Sequence, residues 1–325
     1  MVIITFLYPF NVFSSELMSI DGRPAVVKDI IQVRLRDLHP TQPSIGFDRV
    51  YYKLGRFQAD RRKLFDDYCV KNGGRGILNF SNESKIHDQK SFTCVEEIGS
   101  QREEMKTVVI APNGELYLTD GHHTFNGFWE MNEGGPDLKI NLIISRDYRE
   151  LETMNAFWEQ MKAEQNVWLF DVNNKTIEPK DLPQSLGLKN FQNDQYRALM
   201  YFTRRIAWRP PREITVPDPD NYDDRYPGVP FLEFYWVREI MSKIDLKDYN
   251  LSTREGYLAV IQDFGKIIME TKTNNVGGSN KSVIEMGQFR IFNKRELARI
   301  DRPGTGKLAY MLGYKRNFSQ RQSFN

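Results

Sequence analysis

The chain has 325 residues, 40 % hydrophobic and 27 % charged, with a formal net charge of +2. That length holds one large domain or two smaller ones, and the composition is that of an ordinary globule rather than a disordered or fibrous chain. The near-neutral balance gives no global case for a polyanionic partner. Two cysteines, Cys69 and Cys94, are too few for a disulfide scaffold and leave a single bridge open. Residues 2–13 are apolar, but Pro9 interrupts them and no lysine or arginine precedes them. The run falls short of the about 20 residues a membrane span needs. It also lacks the basic start and small-residue cleavage site of a signal peptide. We therefore expect no membrane span and a cytoplasmic chain, with export as the alternative. Residues 1–24 are read as an apolar segment separate from the domain that begins at residue 25.

Residues 25–150 read as strand-rich. Ile31, Val33 and Leu35 alternate, and residues 107–111 and 140–144 are continuous apolar runs. Residues 60–70 predict a helix, ended by the glycine-rich loop 71–76, a terminator before it is a phosphate loop. Residues 108–118 predict two short strands joined by a Pro112-Asn113-Gly114 turn. Residues 151–325 read as mainly helical. Leu151, Met154, Phe157, Trp158 and Met161 mark one helical face, and Tyr196, Leu199, Met200 and Ile206 part of another. Residues 231–244 are apolar nearly all round. Ser252 to Glu255 predicts a capping box opening a helix through Ile268.

The most informative run is Asp120-Gly121-His122-His123, which holds two of the four histidines. It falls at a strand-to-helix junction, where main-chain N–H groups and the positive helix end suit an anion. We expect Asp120 at the N-cap and both histidines in an exposed first turn, away from the face of Phe125, Phe128 and Trp129. Adjacent helical residues diverge by about 100°, so the two histidines are not a chelating pair.

Three other motifs fail on spacing. Gly304 to Lys307 is similar to a P-loop, but lacks its first glycine and has Leu308 where a hydroxyl residue would hold magnesium. Residues 218–224 lack the glycine and terminal glutamate of a calcium loop. No nucleophile, histidine and acid stand at a family spacing. Two basic clusters remain, Arg204 to Arg212 and the tail 303–325. We read them as a helix terminus and a solvated, partly disordered tail ahead of nucleic-acid contacts.

The run at 120–123 resembles the ParB/sulfiredoxin superfamily, within it the branch of ParB-like proteins that carry Asp-Gly-His-His. Residues 31–42, a strand ending in a turn through Leu38, Pro40 and Gln42, are similar to that superfamily's first box. Residues 100–110 are similar to the segment leading into its central strand. Together they cover about residues 30–147, and residues 157–158, 168–170 and 230–236 are similar to the branch's helical extension. The resemblance implies an α+β fold, a mixed sheet with helices, followed by a helical domain.

It also implies that the second box holds nucleotide phosphates, a role falling here on Gly121, His122, His123 and Thr124, with His39 and Gln42 on the opposite wall. The superfamily includes a CTP-binding partition protein, an ATP-using sulfinic-acid reductase and an ADP-dependent serine kinase. The kinase shares Asp120, His122 and His123, but its catalytic glutamate falls at Gln42, and an amide cannot take a proton from a hydroxyl. The reductase's cysteine falls at His122, so that activity is not expected, and the partition protein's clamping arginine falls at Thr124, which weakens a CTP-clamp reading.

The implied catalytic set is Asp120, His122, His123 and Gln42. The implied cofactor is a nucleotide (ATP, ADP or CTP) with Mg²⁺ held through Asp120. Phosphoryl transfer to a small-molecule hydroxyl, or nucleotide hydrolysis, is the first expectation. A nucleotide-dependent binding or switch protein is the second. A nuclease or nucleic-acid-binding protein is the third, since no carboxylate cluster for two metals is visible.

Overall fold

The computed structural model describes residues 17–211 and 228–322. The apolar run 2–13, the acidic run 218–224 and Arg212 lie outside the described residues. Strand β1 (Ile30–Arg34) leads to β2 (Leu38–Pro40) and the short β3 (Ser44–Ile45). Two helices come next, α1 (Phe47–Ala59) and α2 (Arg61–Lys71). A small hairpin joins β4 (Ile77–Phe80) to β5 (Phe92–Cys94). Then come β6 (Lys106–Ile110), β7 (Leu116–Leu118), α3 (His122–Glu130) and β8 (Lys139–Asp147).

The main sheet has the order β1-β8-β6-β7-β2. β8 runs antiparallel to β1 and parallel to β6, and β7 runs antiparallel to β6 and parallel to β2. Central β6 buries Val108, Val109 and Ile110 in succession, as a strand covered on both faces does. The β6–β7 hairpin turns where Pro112-Asn113-Gly114 places it, with Gly114 at φ +84°.

α1 and α3 pack their apolar residues on one face of the sheet, with Leu116, Leu118, Ile140 and Leu142. On the other face α4 (Met154–Ala163) sets Phe157 and Met161 against Val109, Tyr117 and Tyr148. The remaining elements are β9 (Gln192–Asn193), α5 (Gln195–Thr203), α6 (Leu232–Ile240), α7 (Arg254–Glu270), α8 (Lys294–Ile300) and α9 (Lys307–Gln322). One core runs from Ile31 through Trp236 and Phe264 to Met311, so both halves share it.

Several expectations are corrected. The first half is not only strand-rich: α1 was not anticipated, although Val50, Tyr51, Leu54 and Phe57 make a buried stripe at helical spacing. The tail is a helix that packs on α1. A Cβ at Gly55 would lie 2.2 Å from Tyr310 O, so only glycine permits that approach. Lys307 opens this helix with its Nζ 4.5 Å from the Tyr201 ring centroid. Ile206 lies beyond α5, and the cap of α7 is Thr253, accepting from Gly256 N, one residue later than expected. The glycine-rich loop terminates α2: Gly73 N and Gly74 N donate to Val70 O and Cys69 O. Cys69 and Cys94 are joined in a disulfide, tying α2 to β5.

Candidate anion site at the α3 start

The N-cap of α3 is Gly121, not Asp120. Gly121 sits at φ +99°, and a Cβ there would lie 2.9 Å from Lys106 Cγ and 3.0 Å from Phe125. Glycine is therefore required both conformationally and sterically. Thr124 and Phe125 donate to Gly121 O, leaving the main-chain N–H groups of His122 and His123 without a protein acceptor among the described residues. Asp120 stands beside them, accepting from Gly121 N at 2.6 Å and Lys106 Nζ at 2.5 Å. Its side chain is 61 % exposed. Burial pushes its carboxyl up, but the Lys106 ammonium and the Gly121 amide outweigh that and hold it below the usual value.

The expectation of exposed histidines is overturned. His122 and His123 are 4 % and 5 % exposed. Thr41 N donates to His122 Nε2 at 3.1 Å, and Gly46 N donates to His123 Nε2 at 3.0 Å. Each ring is therefore an acceptor at Nε2, with its proton on Nδ1. Burial pushes His122 down to about 4, against the pull of Asp120. Burial, then Arg49 and Arg197, hold His123 well below its ordinary value. Both rings are neutral near pH 7 and fasten the first-box turn to α3. Thr124 is buried in the same turn.

The turn is held from the second half as well. Trp168 N donates to Thr41 O, Gln192 N to Pro43 O and Asp194 N to Ile45 O. Asn126, fully buried on α3, donates to His122 O and accepts from Gly187 N. Gln42 is buried near this wall, but its Nε2 donates to Ser44 O at 2.7 Å. His39 is not brought to the site. Its ring packs 5.2 Å from Tyr117 and 3.8 Å from Glu115, on the sheet face that carries α4.

The sequence reading missed the basic walls. α1 carries Arg49, Lys53 and Arg56, and α5 with its C-cap carries Arg197, Tyr201 and Arg204, both at i, i+4, i+7. Glu233 on α6 stands between the two helices, 3.8 Å from Arg49 and 2.5 Å from Arg197. Burial and the charges of Arg197 and Arg204 push the Arg49 guanidinium down despite Glu233. The regular spacing of Arg49, Lys53 and Arg56 on α1 was the available signal.

These features define an α+β class in which a mixed sheet feeds a helix start and the second half holds the turn beside it. The family model of the putative ParB-like nucleases matches residues 31–240, and the chain belongs to that family. Among solved structures it is similar to protein Atu1540 from Agrobacterium tumefaciens, at 17 % identity and a TM-score of 0.47, covering 74 % of this chain and 92 % of that one. None of the curated proteins matches. Among the described residues, no helix is long and apolar enough to cross a membrane. No group of three His, Cys, Asp or Glu side chains there is placed to hold a metal ion.

Proposed function

We propose that this chain binds nucleotide phosphates at the α3 start, with Mg²⁺ bridging the phosphates to Asp120. The observation that carries the reading is the coincidence of two acceptor-less amides, those of His122 and His123, with an accessible carboxylate at one helix N-terminus. Magnesium suits a site with a single protein carboxylate, because it keeps several waters and takes the phosphates as its other ligands. Gly121, His122 and His123 act through their backbone.

Binding or switching is favoured over phosphoryl transfer. The lone pairs of both histidines are committed to Thr41 and Gly46, and Gln42 is an amide bonded to Ser44. None of these side chains is free to take a proton from an acceptor hydroxyl. A two-metal nuclease needs a carboxylate cluster, and the described residues offer none. The Cys69–Cys94 bridge favours an oxidising compartment, and with it the exported alternative. A thermal-shift panel of ADP, ATP and CTP, with and without magnesium, tests the reading. A ligand that binds only the folded state raises the melting temperature, and the rise is expected with a magnesium nucleotide. No shift with any of them at millimolar concentration would contradict it.

A further inference from the structure

Arg197 is buried, its side chain 7 % exposed, and only its Nη2 is paired, with Glu233 at 2.5 Å. Its Nε and Nη1 have no hydrogen-bond acceptor among the described residues and neither has Arg49 Nε, while the guanidinium carbons of Arg197 and Arg49 lie 5.1 Å from the Phe234 and 4.7 Å from the Tyr201 ring centroid. Buried guanidinium N–H groups without acceptors are costly and uncommon. Among the described residues the two guanidinium groups share one carboxylate, Glu233. The pair adjoins the α3 start. Arg49 lies one helical turn from Gly46, whose N–H bonds His123. α1, which carries Arg49, packs both on α3 and on α5, which carries Arg197.

We propose that Arg49 and Arg197 form a second anion seat, one that takes a further phosphoryl group of a ligand whose first phosphate rests on the α3 amides. The site thereby selects polyphosphates over monophosphates. Guanidinium groups suit this role because their planar N–H forks match phosphate oxygens. The seat draws on both halves: the first half supplies backbone amides and Arg49, and the second half supplies Arg197 and its counter-ion Glu233. The inference rests on the proposed phosphate site at α3, and its test separates the two.

The probes are inorganic phosphate and pyrophosphate with magnesium, titrated calorimetrically into the full chain. The wild type should bind pyrophosphate about tenfold or more tightly than phosphate. Arg197→Met and Arg49→Met should abolish that preference while leaving weak phosphate binding. Glu233→Gln, which removes the competing carboxylate, should tighten pyrophosphate severalfold even if it lowers the melting temperature. It also keeps the proposal testable should an arginine variant fail to fold. If the arginines are only structural, these variants lower the melting temperature and leave the preference intact, which would overturn the inference. Asp120→Asn reports on the α3 site alone. Binding lost there but kept in the arginine variants overturns the second seat only. Binding insensitive to Asp120 and magnesium but lost in the arginine variants keeps the seat and overturns the α3 reading.

Discussion

His122 and Thr41 stand 81 residues apart and meet in one buried hydrogen bond, Thr41 N donating to His122 Nε2 at 3.1 Å. Gly46 N repeats the arrangement with His123 at 3.0 Å, across 77 residues. The two histidines thus clamp the loop after β2 onto α3, with their Nε2 lone pairs taken up by main-chain amides.

His122→Ala and His123→Ala are therefore expected to destabilise the fold. Each leaves a buried amide without an acceptor and a cavity in place of the ring, at a cost of about 2–4 kcal/mol. Urea unfolding measures it. Variants as stable as the wild type would return the rings to the exposed placement expected from sequence.

Acid should weaken the fold between pH 6.5 and 4. His122 has an ordinary value of 6.5 and a folded value of about 4, so the unfolded chain takes the proton first. Its contribution is complete above pH 6.5 and is lost as the pH falls toward 4. His123 acts in the same direction. Asp194, the N-cap of α5, opposes them: burial raises it from 3.8 to about 6, so the folded state gains a proton first as the pH falls. With two histidines against one aspartate, the melting temperature is expected to drop from pH 7 to pH 5. Asp194→Asn should steepen the drop. A flat profile would contradict the buried, neutral rings.

Gln42→Glu is not expected to create phosphoryl transfer. The new carboxylate would face Ser44 O, where Gln42 Nε2 now donates at 2.7 Å, in a buried place. Losing that donor should cost about 1–3 kcal/mol at neutral pH, less in acid where the glutamate is protonated. A nucleotide-transfer assay beside a denaturation curve checks both points, and transfer activity in a fully stable variant would contradict them.

Reduction should destabilise the chain. The Cys69–Cys94 bridge spans 25 residues, and loop-closure entropy makes such a cross-link worth about 3 kcal/mol. Unfolding with and without a phosphine reductant measures the difference. Equal midpoints would show that the bridge adds nothing.

Much of this architecture was legible where signals are local. The Pro112-Asn113-Gly114 turn, the alternation of β1 and the aromatic face of α4 each arise from neighbouring residues. α1 was harder to see because Arg49, Lys53 and Arg56 alternate with its apolar residues; Lys53 and Arg56 pair with Asp67 of α2, and Arg49 stands beside Glu233. The strand-to-helix junction at Gly121 was legible; the burial of His122 and His123 was not, because their partners lie about 80 residues away on a loop that the second half also holds. Family resemblance located the box at 120–123. It did not show that Arg49 of the first half would share Glu233 with Arg197 of the second.

The most direct test is a crystal structure of the chain grown with ADP and magnesium. The account predicts a phosphoryl oxygen within hydrogen-bonding distance of the His122 and His123 amides, with the metal on Asp120. Nucleotide bound elsewhere, with the 120–124 turn empty, would contradict it.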